Sequence, residues 1–186
     1  MRPQKVNDVE LLSRLMSVIR SKGYDGASLN DLAAVSGLKK ASLYHRFPGG
    51  KKDIVLAVLG YVDDWFVKHI QEIVYAKDIS KEDKLSRVLN SINELYACGL
   101  ESCIVGALTL GGGISLFTNE LKTGIESWLD CFSKIGTDFG YDKEESNQKA
   151  IQVLVKIQGS LIVSKACGST HPFNESIKEI KELYIS

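Results

Sequence analysis

The stretch SLNDLAAVSGLKKASLYHRF, Ser28 to Phe47, decides the fold. It predicts two short helices joined by a tight turn. Ser28, with Asp31 three residues later, has the form of a capping box in which Asp replaces the usual Glu. Leu29, Leu32 and Ala33 face inward, and Ala33 is small enough to let the next helix cross closely. Gly37 supplies the left-handed backbone of a tight interhelical turn. Leu38 follows as a buried plug. Ala41, Leu43 and Phe47 form the inner side of the second helix, which Pro48 ends. The outer side carries Lys39, Lys40, Ser42, Tyr44 and His45. These residues suit phosphates and base edges better than a core.

The charge distribution around this stretch supports that assignment. The 186-residue chain has no net charge, with 23 Lys/Arg against 23 Asp/Glu. Residues 1–52 nevertheless hold ten Lys/Arg against four Asp/Glu, a balance of +6, and residues 53–186 hold thirteen against nineteen, a balance of −6. Phosphate binding needs a local positive surface, not a positive total. The division predicts a basic head, 1–52, on an acidic body, 53–186.

Outward from the hairpin, every segment reads as helix. Asn7 caps a first helix to Lys22, with Val9, Leu12, Leu15, Met16 and Ile19 at helical spacing, and Gly23 stops it. Met1 to Val6 reads as a mobile tail with Arg2 and Lys5. A long helix from Lys52 to Ala76 joins head to body and is suited to transmit motion. A fifth helix runs to about Ala97. Three glycines, Gly111 to Gly113, predict a helix end or kink. Three more helices follow, at about 119–140, 142–167 and 174–184. The apolar arc of the second is broad, leaving Lys149, Gln152 and Lys156 as a thin polar stripe. So broad an arc predicts packing on two sides, one of them against a second subunit.

A helix-turn-helix places its second helix in the major groove while the first braces the backbone. The candidate DNA-binding residues are therefore Ser28, Lys39, Lys40, Ser42, Tyr44, His45 and Lys52. Such a module fits a cytoplasmic DNA-binding regulator. The N-terminus lacks the apolar run of a secretory signal, and no stretch reaches the length of a membrane span without charge. Cys98, Cys103, Cys131 and Cys167 form no CxxC pair and no zinc spacing, so no metal or cofactor is expected. They read as small buried hydrophobes. A redox switch is the alternative, with a kink near Gly99 bringing Cys98 and Cys103 together. An enzyme is the remaining one. The glycines near 106–113 lack the Gly-Lys-Ser/Thr of a phosphate loop, HExxH and GxSxG are absent, and no catalytic residue is assigned.

Gly23-Tyr24, Ser28, Asp31-Leu32-Ala33, Ser36-Gly37-Leu38 and Leu43-Tyr44-His45-Arg46-Phe47 resemble the N-terminal domain of TetR-family transcriptional repressors over residues near 7–60. Phe47-Pro48-Gly49-Gly50-Lys51 looks like the LmrA/YxaF-like branch. Cys103-Ile104-Val105-Gly106-Ala107-Leu108 is similar to that branch's Gly-Cys-Pro-Val-Gly-Xaa-Leu element, but has Ser102 and Ile104 where Gly and Pro are common. The resemblance implies an all-α fold of about nine helices: a three-helix DNA-binding domain, then a helical ligand-binding and dimerisation domain. It implies a homodimer, formed by the helices near 120–140 and 142–167, on a near-palindromic double-stranded operator. Recognition helices would stand about 34–36 Å apart. It also implies release by a small-molecule effector held in the body. Trp65, Phe66, His69, Tyr96, Cys103, Phe117, Trp128 and Gln158 are the candidates for that pocket, between bundle helices.

Overall fold

The computed structural model describes residues 7–185, so the expected N-terminal tail, Met1 to Val6, lies outside the described residues. No strand occurs among them. In chain order the helices are α1 (Asp8–Gly26), α2 (Leu29–Ser36), α3 (Lys40–Arg46) and α4 (Lys51–Phe66). A π turn (Val67–Gln71) leads into α5 (Glu72–Tyr75), followed by α6 (Lys81–Leu95) and a 3₁₀ turn (Ala97–Gly99). Then come α7 (Ile104–Leu108), α8 (Gly113–Leu116), α9 (Thr118–Phe139), α10 (Lys143–Cys167) and α11 (His171–Ile185). The single helix expected from Lys52 to Ala76 is thus interrupted by a π turn. One extra residue in a turn leaves the apolar spacing almost intact, so periodicity does not reveal it.

The chain forms two packing units. The first runs as far as Asp64 and takes back Ile104–Thr118 from much later in the sequence. Its core holds Leu11, Leu15, Ile19, Leu32, Leu43, Ile54, Val58, Leu108 and Phe117. Asn7 caps α1 by accepting from the Val9 N–H. Gly23 breaks the helical path at φ +67°. The inner face of α1 is rotated from the expected one. Val9 is 57% exposed, while Leu11 and Val18 are buried instead. Val9 stands on the first turn of α1.

Gly23 also serves a close approach. A Cβ there would sit 3.2 Å from the Ala107 carbonyl oxygen. Beside it, Asp25 accepts the Gly112 N–H at 2.7 Å. The Tyr24 ring meets Phe117 edge-on, with centroids 5.4 Å apart. The turn after α1 and the α7–α8 segment are therefore joined by backbone, carboxylate and ring contacts. The expected helix break at Gly111–Gly113 is present, with Gly111 at φ +68° and α8 starting at Gly113.

The second unit comprises Trp65–Cys103 and the chain from Asn119 onward. Its core includes Ile70, Leu85, Val88, Ile92, Phe132, Ile135, Val153, Ile157, Phe173, Ile180 and Tyr184. Ser80 caps α6 and Asp142 caps α10. The end of α11 is held by side chains. Lys149 Nζ donates to the Leu183 carbonyl at 2.9 Å and lies 4.0 Å from the Tyr141 ring centroid, and the Tyr141 hydroxyl donates to the Tyr184 carbonyl. Lys149 is therefore a docking residue rather than part of a solvated stripe. The opposite face of α10 is open: Ile151, Val155 and Ile162 are 53%, 65% and 70% exposed. α10 is long and apolar enough to span a bilayer by length and composition, but it carries Lys149, Lys156 and Lys165 and packs along α11.

The thiols divide two and two. Cys103 and Cys131 are buried as expected, whereas Cys98 and Cys167 are exposed, and all four are free. The backbone at Cys98 is left-handed, at φ +57°, after Ala97 at φ +45°. Burial pushes the Cys131 thiol up to about 12.

Candidate nucleic-acid interface

The hairpin is built by the devices read from Ser28 to Phe47. The Ser28 hydroxyl accepts the Asp31 N–H at 3.1 Å, and the Asp31 carboxylate accepts the Ser28 N–H at 3.0 Å. This reciprocal pair satisfies two backbone donors at the start of α2. Lys22 also reaches the Asp31 carboxylate at 2.7 Å. That contact first, and the hydrogen bonds from Ser28 next, hold the Asp31 carboxyl well below the usual range. Gly37 turns the chain at φ +69°. The Ser36 hydroxyl then accepts the Leu38 N–H at 3.1 Å, which fixes the entry to α3.

Leu43 and Phe47 anchor α3 inward, at 2% and 8% exposure. Ala41 does not join them. It is exposed, and Leu38 is only half-buried. A seven-residue helix has room for few inward positions, and Leu43 fills the central one.

The candidate DNA-contacting side chains are distributed as follows. Lys39, Ser42 and His45 are exposed on α3 and its start, and Tyr44 is 42% exposed. Lys40 is exposed and donates to Asn30 Oδ1 at 2.9 Å, which ties α3 to α2. Ser28 is exposed, its hydroxyl already engaged in the capping box. Lys52 is exposed on the first turn of α4. Its neighbour Lys51 turns the other way, donating to the Tyr24 carbonyl at 2.6 Å with its ammonium 4.3 Å from the Tyr24 ring centroid. Arg46 is paired with Asp8.

Three positioning residues escape a reading of the sequence alone: Lys51, Asp25 and Asp53. The last accepts the Gly49 N–H at 2.6 Å and so shapes the loop before α4. Asp53, four residues after Gly49 and in the first turn of a helix, is the one with a local signal.

Residues 11–58 match the family described as bacterial regulatory proteins, tetR family. Residues 11–58 carry the N-terminal domain of that family. LmrA and YxaF, which stand for the branch the sequence resembles, are among the relatives it matches. The HTH-type transcriptional regulator LmrA of Bacillus subtilis (strain 168) is 22% identical over 88% of each chain. The fold is shared with a TetR transcriptional regulator from Legionella pneumophila, at TM-score 0.81 and 22% identity over 98% of both chains. It is shared too with the TetR family regulator CifR, a cysteine mutant solved with 26-bp double-strand operator DNA, at TM-score 0.73 and 19% identity over 97% of this chain and 98% of that one. With that domain, the chain is an all-α DNA-binding transcriptional regulator with an N-terminal helix-turn-helix.

The candidate effector residues do not all belong to one unit. Phe117 belongs to the first unit, against Tyr24. The other seven belong to the second. Phe66 and Trp128 pack at 4.8 Å between ring centroids, and Trp128 continues to Phe132 at 5.9 Å. Trp65 stacks on His69 at 4.9 Å across the start of the π turn. Tyr96 is buried edge-on to Phe173, Cys103 is buried, and Gln158 is half-buried on α10. No group of three or more His, Cys, Asp or Glu suited to a metal occurs among the described residues.

Proposed function

We propose that this regulator is a cytoplasmic repressor that grips a near-palindromic operator as a homodimer and is released by a small molecule. Residues 1–52 serve as the DNA-binding head and 53–186 as the effector-binding and dimerisation part. The observation that carries the reading is the outer face of α3. There Ser42, Tyr44 and His45 stand exposed while Leu43 and Phe47 are buried behind them. Ser28, Lys39, Lys40 and Lys52 complete the surface with phosphate contacts, which position the head, while groove contacts specify sequence.

The open apolar stripe of α10 supports dimerisation. Ile151, Val155 and Ile162 recur at helical spacing on one face. Gly159 lies beside them, and a Cβ there would meet nothing within 4 Å. A second copy laid on this stripe would bury it twice by symmetry. Release then follows from population shift. An effector that prefers a dimer with its heads out of operator spacing draws the population from DNA. α4, which carries the chain out of the first unit, is the lever, and Trp65, Phe66, His69, Tyr96, Cys103, Trp128 and Gln158 line the effector site. The CifR structure, with operator DNA, is a precedent on the same fold.

The test is selection of duplexes from a random pool by the full chain, then affinity measurement with variants. Tyr44→Ala should abolish preference for the selected duplex while helicity and dimer mass are kept. Lys52→Ala should weaken binding to every duplex and reduce the salt slope by about one. Unchanged affinity in both variants refutes the site.

A further inference from the structure

The outer ridge of α3 contains an aliphatic side chain with no partner behind it. Leu43 and Phe47 set the inward direction of the helix. At about 3.6 residues per turn, Ala41 and His45, four apart, share the ridge pointing the opposite way, with Ser42 beside them. Tyr44 and Arg46 flank that ridge. Arg46 is held by Asp8, and Lys40 by Asn30. Ala41 is thus the exposed aliphatic residue of α3, in its first turn.

An exposed methyl on the ridge of a groove-reading helix has a restricted chemistry. It offers no donor or acceptor to a phosphate, to a guanine or to an adenine edge. Its one matching partner in the major groove is the C5-methyl of thymine. We propose that Ala41 is a specificity-determining residue that reads a thymine in each operator half-site by methyl–methyl contact. The inference rests on the DNA-binding reading above and adds a base identity to it.

A double-mutant cycle tests it. The full chain first selects a duplex from a random pool. Each thymine of that duplex is then replaced in turn, symmetrically in both half-sites, by deoxyuridine, which differs only in lacking the methyl. Affinities are measured for the wild type, Ala41→Gly and Ala41→Ser. At one symmetric pair of thymines the wild type should lose about fourfold per half-site, the size expected for one buried methyl. Ala41→Gly should bind the thymine and deoxyuridine duplexes equally at that pair. Any general weakening of the helix by glycine cancels within the cycle. Ala41→Ser, which keeps a side chain, should also lose sensitivity to the methyl. If Ala41→Gly and the wild type respond alike to deoxyuridine at every thymine, the inference is overturned while the DNA-binding reading stands. If no duplex is enriched over random sequence, the DNA-binding reading falls and takes this inference with it.

Discussion

Replacing Ile162 on α10 should separate the protomers. Ile162 is 70% exposed in the single chain. Full burial of such a side chain is worth about 1.5–3 kcal/mol, so the part still open represents roughly 1–2 kcal/mol per copy. A two-fold interface counts the residue twice, and Ile162→Ala should cost roughly 2–4 kcal/mol of dimer stability. At about 1.4 kcal/mol per tenfold, the dissociation constant should rise by roughly 30- to 700-fold. Ile162→Asp should go further, because two unpaired carboxylates would be buried near the axis. Sedimentation velocity over a dilution series reads the constant, and circular dichroism confirms that helicity is kept. A dissociation constant that is the same for wild type, Ile162→Ala and Ile162→Asp would refute the assignment of this stripe to the dimer.

The two adjacent lysines give a second prediction. Lys51→Ala removes a hydrogen bond to the Tyr24 carbonyl and an ammonium–ring contact, so it should destabilise by about 1–3 kcal/mol in thermal unfolding. Lys52→Ala should leave stability within about 0.5 kcal/mol of wild type. The thiols give a third. A maleimide added to the native protein at neutral pH should label Cys98 and Cys167 and spare Cys103 and Cys131, as mass mapping would show. Burial also keeps the Cys131 thiol protonated to about 12, against 9.0 for an ordinary thiol. The unfolded thiol therefore ionises first. Its contribution to stability is complete below pH 9.0 and declines from there toward about pH 12. Cys131→Ala should flatten that alkaline decline in denaturant midpoints.

Much of the head was legible because its determinants are local. A capping box, a left-handed glycine and a terminating proline act within a few residues of themselves, and the helices they predict are present. The register of individual side chains was less legible. Ala41 reads as core by its chemistry, yet a seven-residue helix buries what its neighbours can reach, and Leu43 takes that place. Val9 reads as core in the same way, yet on the first turn of α1 it is exposed. The direction of Lys51 depends on where the Tyr24 carbonyl lies, and that depends on the left-handed turn at Gly23. Three glycines at Gly111–Gly113 announce a break but not the Asp25 carboxylate that receives one of their N–H groups. Cys98 was unreadable because a left-handed conformation at a non-glycine residue has no sequence signature.

The return of Ile104–Thr118 to the first unit has a consequence for anyone who treats the reading head as a cassette. A graft cut cleanly after residue 52 or 64 would carry the reading helix but leave behind Phe117, the ring that Tyr24 packs against, and the Gly112 amide that Asp25 accepts from. Chimeric regulators with exchanged operators need both pieces from one parent. The turn at Gly23–Asp25 and the segment around Ala107–Gly113 are accordingly expected to change together as homologous chains drift, although they stand far apart in the gene.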